Sequence, residues 1–340
     1  MRLPQHLTES LQVEVEKIER RRLVQATAQL SERYKAGDFS APAISNDAQR
    51  AAYLAVRFPA TYAASRRVFS EIQLRAPHAE ISTLLDLGTG PGTALFAASE
   101  IFPALQRITL IEADDHWITL GKSLAASSPM PAVREAQWRK QDLRSGFSCD
   151  EHDLVVISYA LGEFGPAAAE AVVRKAWTCT RKFLVLMEPG TPRGFAAIDA
   201  ARSSLIATSA EILAPCPHKY ACPMAAAGAS TPERAKAAHS GDPGDWCHFS
   251  QRLERTAQHR QLKGGALGYE DEKFSYMIAS RGSTQAEGAR IVRHPGKHSG
   301  HIQLALCTPA GRIETRTVTR TSKQAFRLAR KAEWGDVWKE

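Results

Sequence analysis

The chain has 340 residues, of which 44% are hydrophobic and 24% are charged, a composition that predicts a globular protein with a sizeable core and excludes a disordered chain. Lysine and arginine total 44 against 36 acidic residues, giving a formal net charge of +8. This balance suits a polyanionic partner such as RNA, although a solvated basic face has the same composition. Since no apolar run is long enough to span a bilayer, we expect no membrane partner.

The first eighty residues carry a helical pattern. Leu7, Leu11, Val15 and Ile18 recur at the spacing of one helix face, and similar spacing continues as far as Ile72. We therefore predict an N-terminal helical cap over residues 1–80. The start of the chain lacks the apolar core of a secretory signal and is too acidic for a mitochondrial presequence, so we expect a bacterial-type cytoplasmic protein rather than a mitochondrial one.

Short β-rich runs alternate with helical stretches from residue 84 onward. The runs are residues 84–87, 108–112, 153–158 and 183–188. This alternation is typical of a parallel sheet covered by helices on both faces, in which ligands bind beyond the carboxyl ends of the strands. We predict that residues 81–190 form a Rossmann-like α/β core.

The first of these strands runs into a glycine-rich turn at residues 86–92, with the sequence DLGTGPG. An acid at the strand tip followed by Gly88, Gly90 and Gly92 lets the backbone approach the amino acid end of an adenosine-containing cofactor, because a Cβ there would collide with it. We assign Asp86 and the three glycines to S-adenosylmethionine (SAM) binding in a class I methyltransferase fold. The alternative is a structural turn that binds nothing.

Three further acids follow strands of the same sheet. Glu112 ends the second strand, residues 108–112, where a carboxylate can accept both ribose hydroxyls. Asp142 follows a third strand, expected between residues 112 and 141, where it can accept the adenine amino group. Glu163 follows the fourth strand, residues 153–158, and is the best candidate for a general base. Each of these acids could instead be solvated at a strand end.

Residues 191–272 form a predicted insertion that is rich in cysteine-bearing loops. Cys216, Cys222 and Cys247 lie there, and Cys307 follows later at the end of an apolar run. Four thiolates are the usual complement of a structural zinc or an iron–sulfur cluster, and the spacing favours a 4Fe-4S cluster over zinc. The alternative of isolated buried thiols suits Cys149 and Cys179 better, and we expect no disulfide framework.

The last segment, residues 273–340, is predicted to supply the remaining strands of the sheet and a basic tail. Arg316, Arg320 and Arg327 lie in its most basic part, and we expect them to contact RNA phosphates. A solvated basic face is again the alternative.

The catalytic chemistry stays open at this stage. Enzymes that methylate an exocyclic amine carry an Asn or Asp before Pro-Pro and an aromatic residue after the fourth strand, whereas residues 158–164 read SYALGEF. Two functions therefore compete. One is a methyltransferase that acts on RNA by aligning the cofactor with its target, and the other is an RNA-binding protein that keeps the fold without catalysis.

Several motifs in fixed order resemble one family, the methyltransferase-like assembly factors of the mitochondrial small ribosomal subunit and their bacterial homologues. The motifs are residues 86–92 (DLGTGPG), 188–194 (EPGTPRG), 216–223 (CPHKYACP), 245–252 (DWCHFSQR), 269–276 (YEDEKFSY) and 334–336 (WGD). The resemblance covers about residues 45–338.

This resemblance implies a class I methyltransferase fold, a SAM site at the glycine loop and a role on small-subunit rRNA in ribosome maturation and translation. It also implies a 4Fe-4S cluster on Cys216, Cys222, Cys247 and Cys307. The absence of a recognisable presequence favours a bacterial homologue. No coiled coil or repeat is evident, and we expect a monomer.

Overall fold

The computed structural model describes residues 1–36, 44–225, 245–283 and 288–339. The chain forms two compact units, one made of residues 1–181 and 251–272 and the other of residues 182–250 and 273–340. The division into four segments, residues 1–80, 81–190, 191–272 and 273–340, remains a prediction from the sequence.

The first unit begins with helices. They are α1 (Gln5–Glu16), α2 (Arg20–Ala36), α3 (Asp47–Ala52) and α4 (Phe58–Arg75), with a π-helical turn at Tyr53–Arg57 that joins α3 to α4. In α1 the apolar residues Leu7, Leu11 and Val15 are buried, as their four-residue spacing requires. The Asn46 side chain caps α3 by accepting a hydrogen bond from the Gln49 amide at 3.0 Å.

Four parallel strands follow in the first unit. They are β1 (Thr83–Leu87), β2 (Arg107–Glu112), β3 (Gln137–Lys140) and β4 (His152–Ser158), in the spatial order β3-β2-β1-β4. The intervening helices are α5 (Thr93–Ile101), α6 (Asp115–Ala126), α7 (Pro131–Arg134) and, after β4, α8 (Pro166–Thr178). Because β1 and β4 are buried on both faces, they read as continuous apolar runs.

Trp138 of β3 supports the edge where the strands end. A Cβ built on Gly121 of α6 would lie 2.1 Å from the Trp138 ring, and one on Gly92 would lie 3.5 Å from the same ring. The indole therefore fills the space between α6 and the glycine loop, and only glycine fits at position 121.

The second unit contains most of β5 (Thr180–Pro189), then α9 (Pro192–Ala207) and β6 (Glu211–Ala214). The chain then forms β7 (Phe249–Glu254), α10 (Ala257–Lys263) and β8 (Tyr269–Ser280). β8 lies between β5 and β6 and is antiparallel to both. Its second half, from Lys273 onward, belongs to the second unit, whereas residues 251–272 belong to the first.

A separate five-stranded sheet completes the second unit. Its elements are β9 (Ala289–Ile291), β10 (Gly296–Lys297), β11 (His301–Cys307), β12 (Ile313–Thr319), helix α11 (Lys323–Lys331) and β13 (Val337–Trp338). The spatial order is β10-β11-β9-β13, and β12 pairs with β11 over seven residues. The strand that ends at Cys307 therefore lies in this second sheet and not beside β8.

Parallel strands with intervening helices in one unit, and an antiparallel β8 between β5 and β6 in the other, confirm the predicted Rossmann-like α/β fold of the class I SAM methyltransferase type. None of the helices within the described ranges combines the length and the apolar character that a membrane crossing needs.

Candidate functional site

The glycine loop joins β1 to α5 in a conformation that only glycine adopts readily. Gly88, Gly90 and Gly92 all have positive φ, at 72°, 54° and 87°. The Gly88 and Thr89 amides donate to the carbonyl of Ile111 at 2.8 and 3.2 Å, which ties the loop to β2. A Cβ at Gly88 would lie 2.9 Å from the Ala160 Cβ, whereas one at Gly90 would meet no atom within 4 Å.

A pocket of about 400 Å³ opens at this loop within the first unit. The predicted residues that line it are Asp86, Gly88, Gly90, Glu112, Asp142 and Glu163. Gly92 is not part of the lining, and instead caps the N-terminus of α5. Ligands bind beyond the carboxyl ends of parallel strands, which is where this pocket lies.

Asp86 is the most perturbed acid of the pocket. It is 1% exposed, its Oδ2 accepts a 2.6 Å hydrogen bond from the Thr89 hydroxyl, and its Oδ1 has no hydrogen-bond partner among the described residues. Burial raises the pKa of Asp86 to about 7, and the nearby Glu112 contributes to the increase. A buried carboxylate oxygen without a partner is unfavourable until a donor occupies the pocket.

Glu112 is held by three backbone amides. Its Oε2 accepts from Gly90 at 2.8 Å, and its Oε1 accepts from Ala113 at 2.8 Å and from Asp114 at 3.0 Å. Burial raises the pKa of Glu112, whereas these hydrogen bonds lower it. The carboxylate is thus fixed in orientation, and Oε2, which accepts one amide, has a second lone pair that can accept a hydroxyl.

Asp142 and Glu163 have different surroundings. Arg144 donates to both oxygens of Asp142, at distances from 2.8 to 3.1 Å, and these bonds lower the pKa of Asp142. Glu163 has solvent access as a residue, but burial of its carboxyl end raises its pKa and the Glu112 charge adds to the effect. Of the two acids, Glu163 is the better proton acceptor near neutral pH.

The sequence left open whether the helical cap packs only or forms a wall of the site, and it did not identify the residues that line the pocket. Tyr53 and Arg57 of the π-helical turn line the pocket, together with Trp117 of α6. The Tyr53 and Trp117 rings meet edge to face with centroids 5.2 Å apart. The periodicity of the surrounding sequence predicts helices, but no motif marks Tyr53, Arg57 or Trp117 as binding residues.

Tyr159 also lines the pocket and was missed. It directly follows β4 and has φ of 59°, which is uncommon for an aromatic residue. Sparsely populated backbone conformations of this kind often occur at functional sites.

The four predicted cluster cysteines lie in the second unit. Cys216 and Cys222 follow β6, Cys247 precedes β7, and Cys307 ends β11. Burial raises the pKa of each thiol, and the Cys216 and Cys222 charges further raise the pKa of Cys307, which reaches about 12. Among the described residues no group of three or more His, Cys, Asp or Glu side chains is arranged to hold a single metal ion.

Two buried arginines hold the loop that carries Cys216. Arg202 of α9, 3% exposed, donates to the carbonyls of His218 and Tyr220 at 2.8 and 2.9 Å. Arg290 of β9, 2% exposed, donates to the carbonyl of Pro215 at 2.9 Å. Both guanidinium charges lower the pKa of Cys216, although burial dominates and raises it. The surroundings of the thiols are thus positively charged.

Cys149 and Cys179 form a disulfide, so the expectation that they are isolated buried thiols is wrong. The His152 amide donates to the carbonyl of Cys179 at 2.9 Å, which brings the start of β4 beside the end of α8. Sequence spacing gives no sign of this contact, because 30 residues separate the two cysteines.

The three arginines predicted to bind RNA are exposed in the second unit. Arg316 lies on β12, Arg320 follows this strand, and Arg327 lies on α11. The Arg320 amide donates to the carbonyl of Gly300 at 3.4 Å, so its backbone position is fixed next to the loop before β11.

Comparison with known proteins gives a family match over residues 47–339, to the family described as mitochondrial small ribosomal subunit Rsm22. The human mitochondrial ribosome assembly protein METTL17 is 28% identical over 307 residues, which cover 84% of this chain and 61% of that protein. The Rsm22-cox11 tandem protein 2 of Schizosaccharomyces pombe, also mitochondrial, is 25% identical and covers 86% of this chain.

The chain spans only 43% of the length of the fission yeast protein. Among solved structures, magnesium protoporphyrin IX methyltransferase from Synechocystis aligns with a TM-score of 0.40 and 12% identity, covering 66% of this chain and 80% of that one.

These matches correct one expectation. A bacterial-type cytoplasmic location was expected from the sequence, but the matching family and these two relatives are described as mitochondrial. The composition of the first residues was therefore a poor guide to location. Since the family match extends over most of the chain, the protein belongs to the Rsm22 family of the mitochondrial small ribosomal subunit.

Proposed function

We propose that this protein binds SAM in the pocket of its first unit and acts as a methyltransferase-like assembly factor on the RNA of the small ribosomal subunit. The observation that carries the proposal is the buried, unpartnered Oδ1 of Asp86 in a pocket beside the glycine loop. The human relative is named a ribosome assembly protein, which supports the subunit as the place of action.

The charges of the pocket suit this ligand. Asp86, Glu112 and Glu163 line it, and burial raises the pKa of all three. A ligand with a sulfonium and an ammonium group would stabilise their ionised forms. In this assignment Asp86 accepts from the ammonium, Glu112 accepts the ribose hydroxyls and Asp142 accepts the adenine amino group. When bound, the cofactor supplies an electrophilic methyl group.

The residues after β4 bear on whether the protein catalyses methyl transfer or only binds RNA. Glu163 is our candidate for the general base, because its carboxyl lines the pocket and has a raised pKa. The second candidate function, a non-catalytic rRNA-binding assembly factor, is favoured by the absence of an amine-binding motif at residues 158–164. Transfer of label from SAM to RNA separates the two functions.

We further propose that Cys216, Cys222, Cys247 and Cys307 bind a 4Fe-4S cluster, with zinc as the alternative. The four thiols belong to one unit, and their charges influence each other's ionisation. The charges of Arg202 and Arg290 also lower the pKa of Cys216. Either metal group needs thiolates, and buried cations stabilise thiolates. The four cysteines would join the loop after β6 to the end of β11, which gives the group a structural role.

The basic surface formed by Arg316, Arg320 and Arg327 is our proposed RNA contact. All three are exposed, and each guanidinium can bind phosphate in a bidentate manner. Contacts of this kind give affinity without sequence specificity.

Replacing Gly90 with arginine tests the pocket. A side chain at Gly90 enters open space, so the core stays packed while the pocket is filled, at a cost of about 1 kcal/mol for the positive φ. We expect wild-type protein to bind labelled SAM and to label RNA in immature small subunits. Gly90→Arg should lose about 100-fold or more in affinity, because side chain and ligand need the same space.

Gly165→Arg, at an open position outside the pocket lining, is the matched control. Equal SAM binding by wild type and Gly90→Arg would contradict the site. SAM and RNA binding without transfer of label would support the non-catalytic candidate instead.

Asp86 predicts a proton-linked affinity. Its pKa of about 7 in the free protein should fall when an ammonium group binds, so ligand binding below pH 7 should release up to one proton. As the pH increases toward 7, the affinity for S-adenosylhomocysteine should therefore rise by up to about tenfold per pH unit, and it should level off near pH 8. Calorimetry in buffers of different ionisation enthalpy measures the proton count, and Asp86→Asn should remove this release. A pH-independent affinity in wild type would contradict the assignment.

Anaerobic purification tests the metal group. We expect coloured protein with about four iron and four sulfide per chain, measured by absorbance and chemical analysis. Cys247→Ser should lose most of the iron, and Arg202→Met, which leaves all thiols in place, should reduce iron retention several-fold. The double variant Cys149→Ser/Cys179→Ser is the control and should keep full iron. Colourless protein with one zinc per chain would show that the alternative is correct.

Charge removal tests the RNA surface. Replacing Arg316, Arg320 and Arg327 together with glutamine should weaken binding to small-subunit rRNA and reduce the slope of log affinity against log salt by about 2 to 3. A control that removes the same charge from the first unit replaces the exposed residues Lys122, Arg139 and Lys175. If the two triple variants keep the same salt slope, the proposed surface is wrong.

A further inference from the structure

The π-helical turn at Tyr53–Arg57 contributes both of its end residues to the pocket. The turn contains the i to i+5 hydrogen bond from the Phe58 amide to the Tyr53 carbonyl. Such single π-helical turns are frequent at functional sites. The turn therefore directs attention to what Tyr53 and Arg57 could bind.

Arg57 is held in a fixed orientation. Its Nη1 and Nη2 atoms donate to the two oxygens of Glu272 at 3.0 and 2.9 Å, and the two side chains are only 14% and 10% exposed. A bidentate pair fixes the plane of the guanidinium group. A positioned cation of this kind at a pocket wall can bind a second carboxylate.

The turn lies on the side of the pocket where the glycine loop enters α5. Phe58, next to Arg57, packs against Phe96 of α5 with ring centroids 6.0 Å apart. The phenol of Tyr53 lies near the Thr93 side chain, which belongs to the first turn of the same helix. Asp86 lies in the last part of β1, and Thr89 lies in the loop between β1 and this helix. Arg57 and Asp86 line the same pocket.

Two arginines are among the described residues that line the pocket, and they differ in position. Arg144 is 64% exposed and pairs with Asp142, at the end proposed for adenine. Arg57 is half-buried, with 14% of its side chain exposed. An amino acid group has one ammonium and one carboxylate, and Asp86 supplies the acceptor for the ammonium through its unpartnered Oδ1. The cation that complements the carboxylate is Arg57.

We propose that Arg57, oriented by Glu272, binds the carboxylate of the amino acid end of the cofactor and makes the pocket selective for ligands that carry this end. The inference rests on the proposed SAM site and assigns a residue from the helical cap to it. Asp86 and Arg57 then form a pair of opposite charges that reads both charges of the amino acid group.

The test compares two ligands in isothermal titration calorimetry. S-adenosylhomocysteine carries the amino acid group, and 5′-methylthioadenosine has the same nucleoside and thioether without it. We expect wild-type protein to prefer S-adenosylhomocysteine. Arg57→Gln should weaken S-adenosylhomocysteine by about 10- to 100-fold and leave methylthioadenosine unchanged, since only the first ligand loses a charged hydrogen bond.

Arg67→Gln is the matched control. Arg67 lies on α4, pairs with Glu71 at 2.7 Å and does not line the pocket, so its removal should change neither affinity. Because Arg57→Gln leaves Glu272 as a buried charge, the double variant Arg57→Gln/Glu272→Gln is measured as well, and thermal unfolding checks that each protein is folded. The double variant should show the same selective loss.

The outcomes separate the two proposals. If folded Arg57 variants keep the full preference for S-adenosylhomocysteine, or lose both ligands equally, Arg57 does not read the carboxylate and this inference is overturned while the SAM site stands. If wild-type protein binds neither ligand, the SAM site itself is overturned, and the role of Arg57 with it.

Discussion

The hydrogen bond from the Gly90 amide to the Glu112 carboxylate is the contact on which the rest of the pocket depends. It joins the glycine loop to the end of β2, and two further amides of the loop bond to the Ile111 carbonyl beside it. The loop can take this path because three of its residues have positive φ. The pairing of β1 with β2 brings Asp86 and Glu112 to the same edge of the sheet, and this link fixes the Glu112 carboxylate against the loop that follows Asp86.

The second unit depends on another kind of interaction. Buried arginines on α9 and β9 donate hydrogen bonds to carbonyls on both sides of Cys216. These cations position the loop by themselves, without a metal group. Burial favours the protonated form of these thiols, since it raises the pKa of each of them. The positive charge beside Cys216 therefore favours the thiolate form that a metal group requires.

Much of the fold was predictable because it follows from periodicity. Three of the four strands of the first unit and the glycine loop are local patterns, and the acids at the strand ends follow from the parallel topology, which brings the carboxyl ends together. Arg57, Tyr159 and the Cys149–Cys179 disulfide were not predictable in this way. Each depends on a contact between distant segments, such as Arg57 with Glu272, and neither residue pattern nor spacing encodes such a contact. The second sheet was missed for the same reason, since strand runs alone do not indicate which strands pair.

The crosslink between Cys149 and Cys179 has a consequence for motion. It ties the two ends of a 30-residue segment that contains β4, the Tyr159 bend and all of α8. Closing a segment of this length lowers the conformational entropy of the unfolded chain, which stabilises the folded state by about 3 to 4 kcal/mol. Tyr159 and Glu163, which this segment brings to the pocket, therefore lie in a part of the chain where local unfolding gains less entropy than it would without the crosslink.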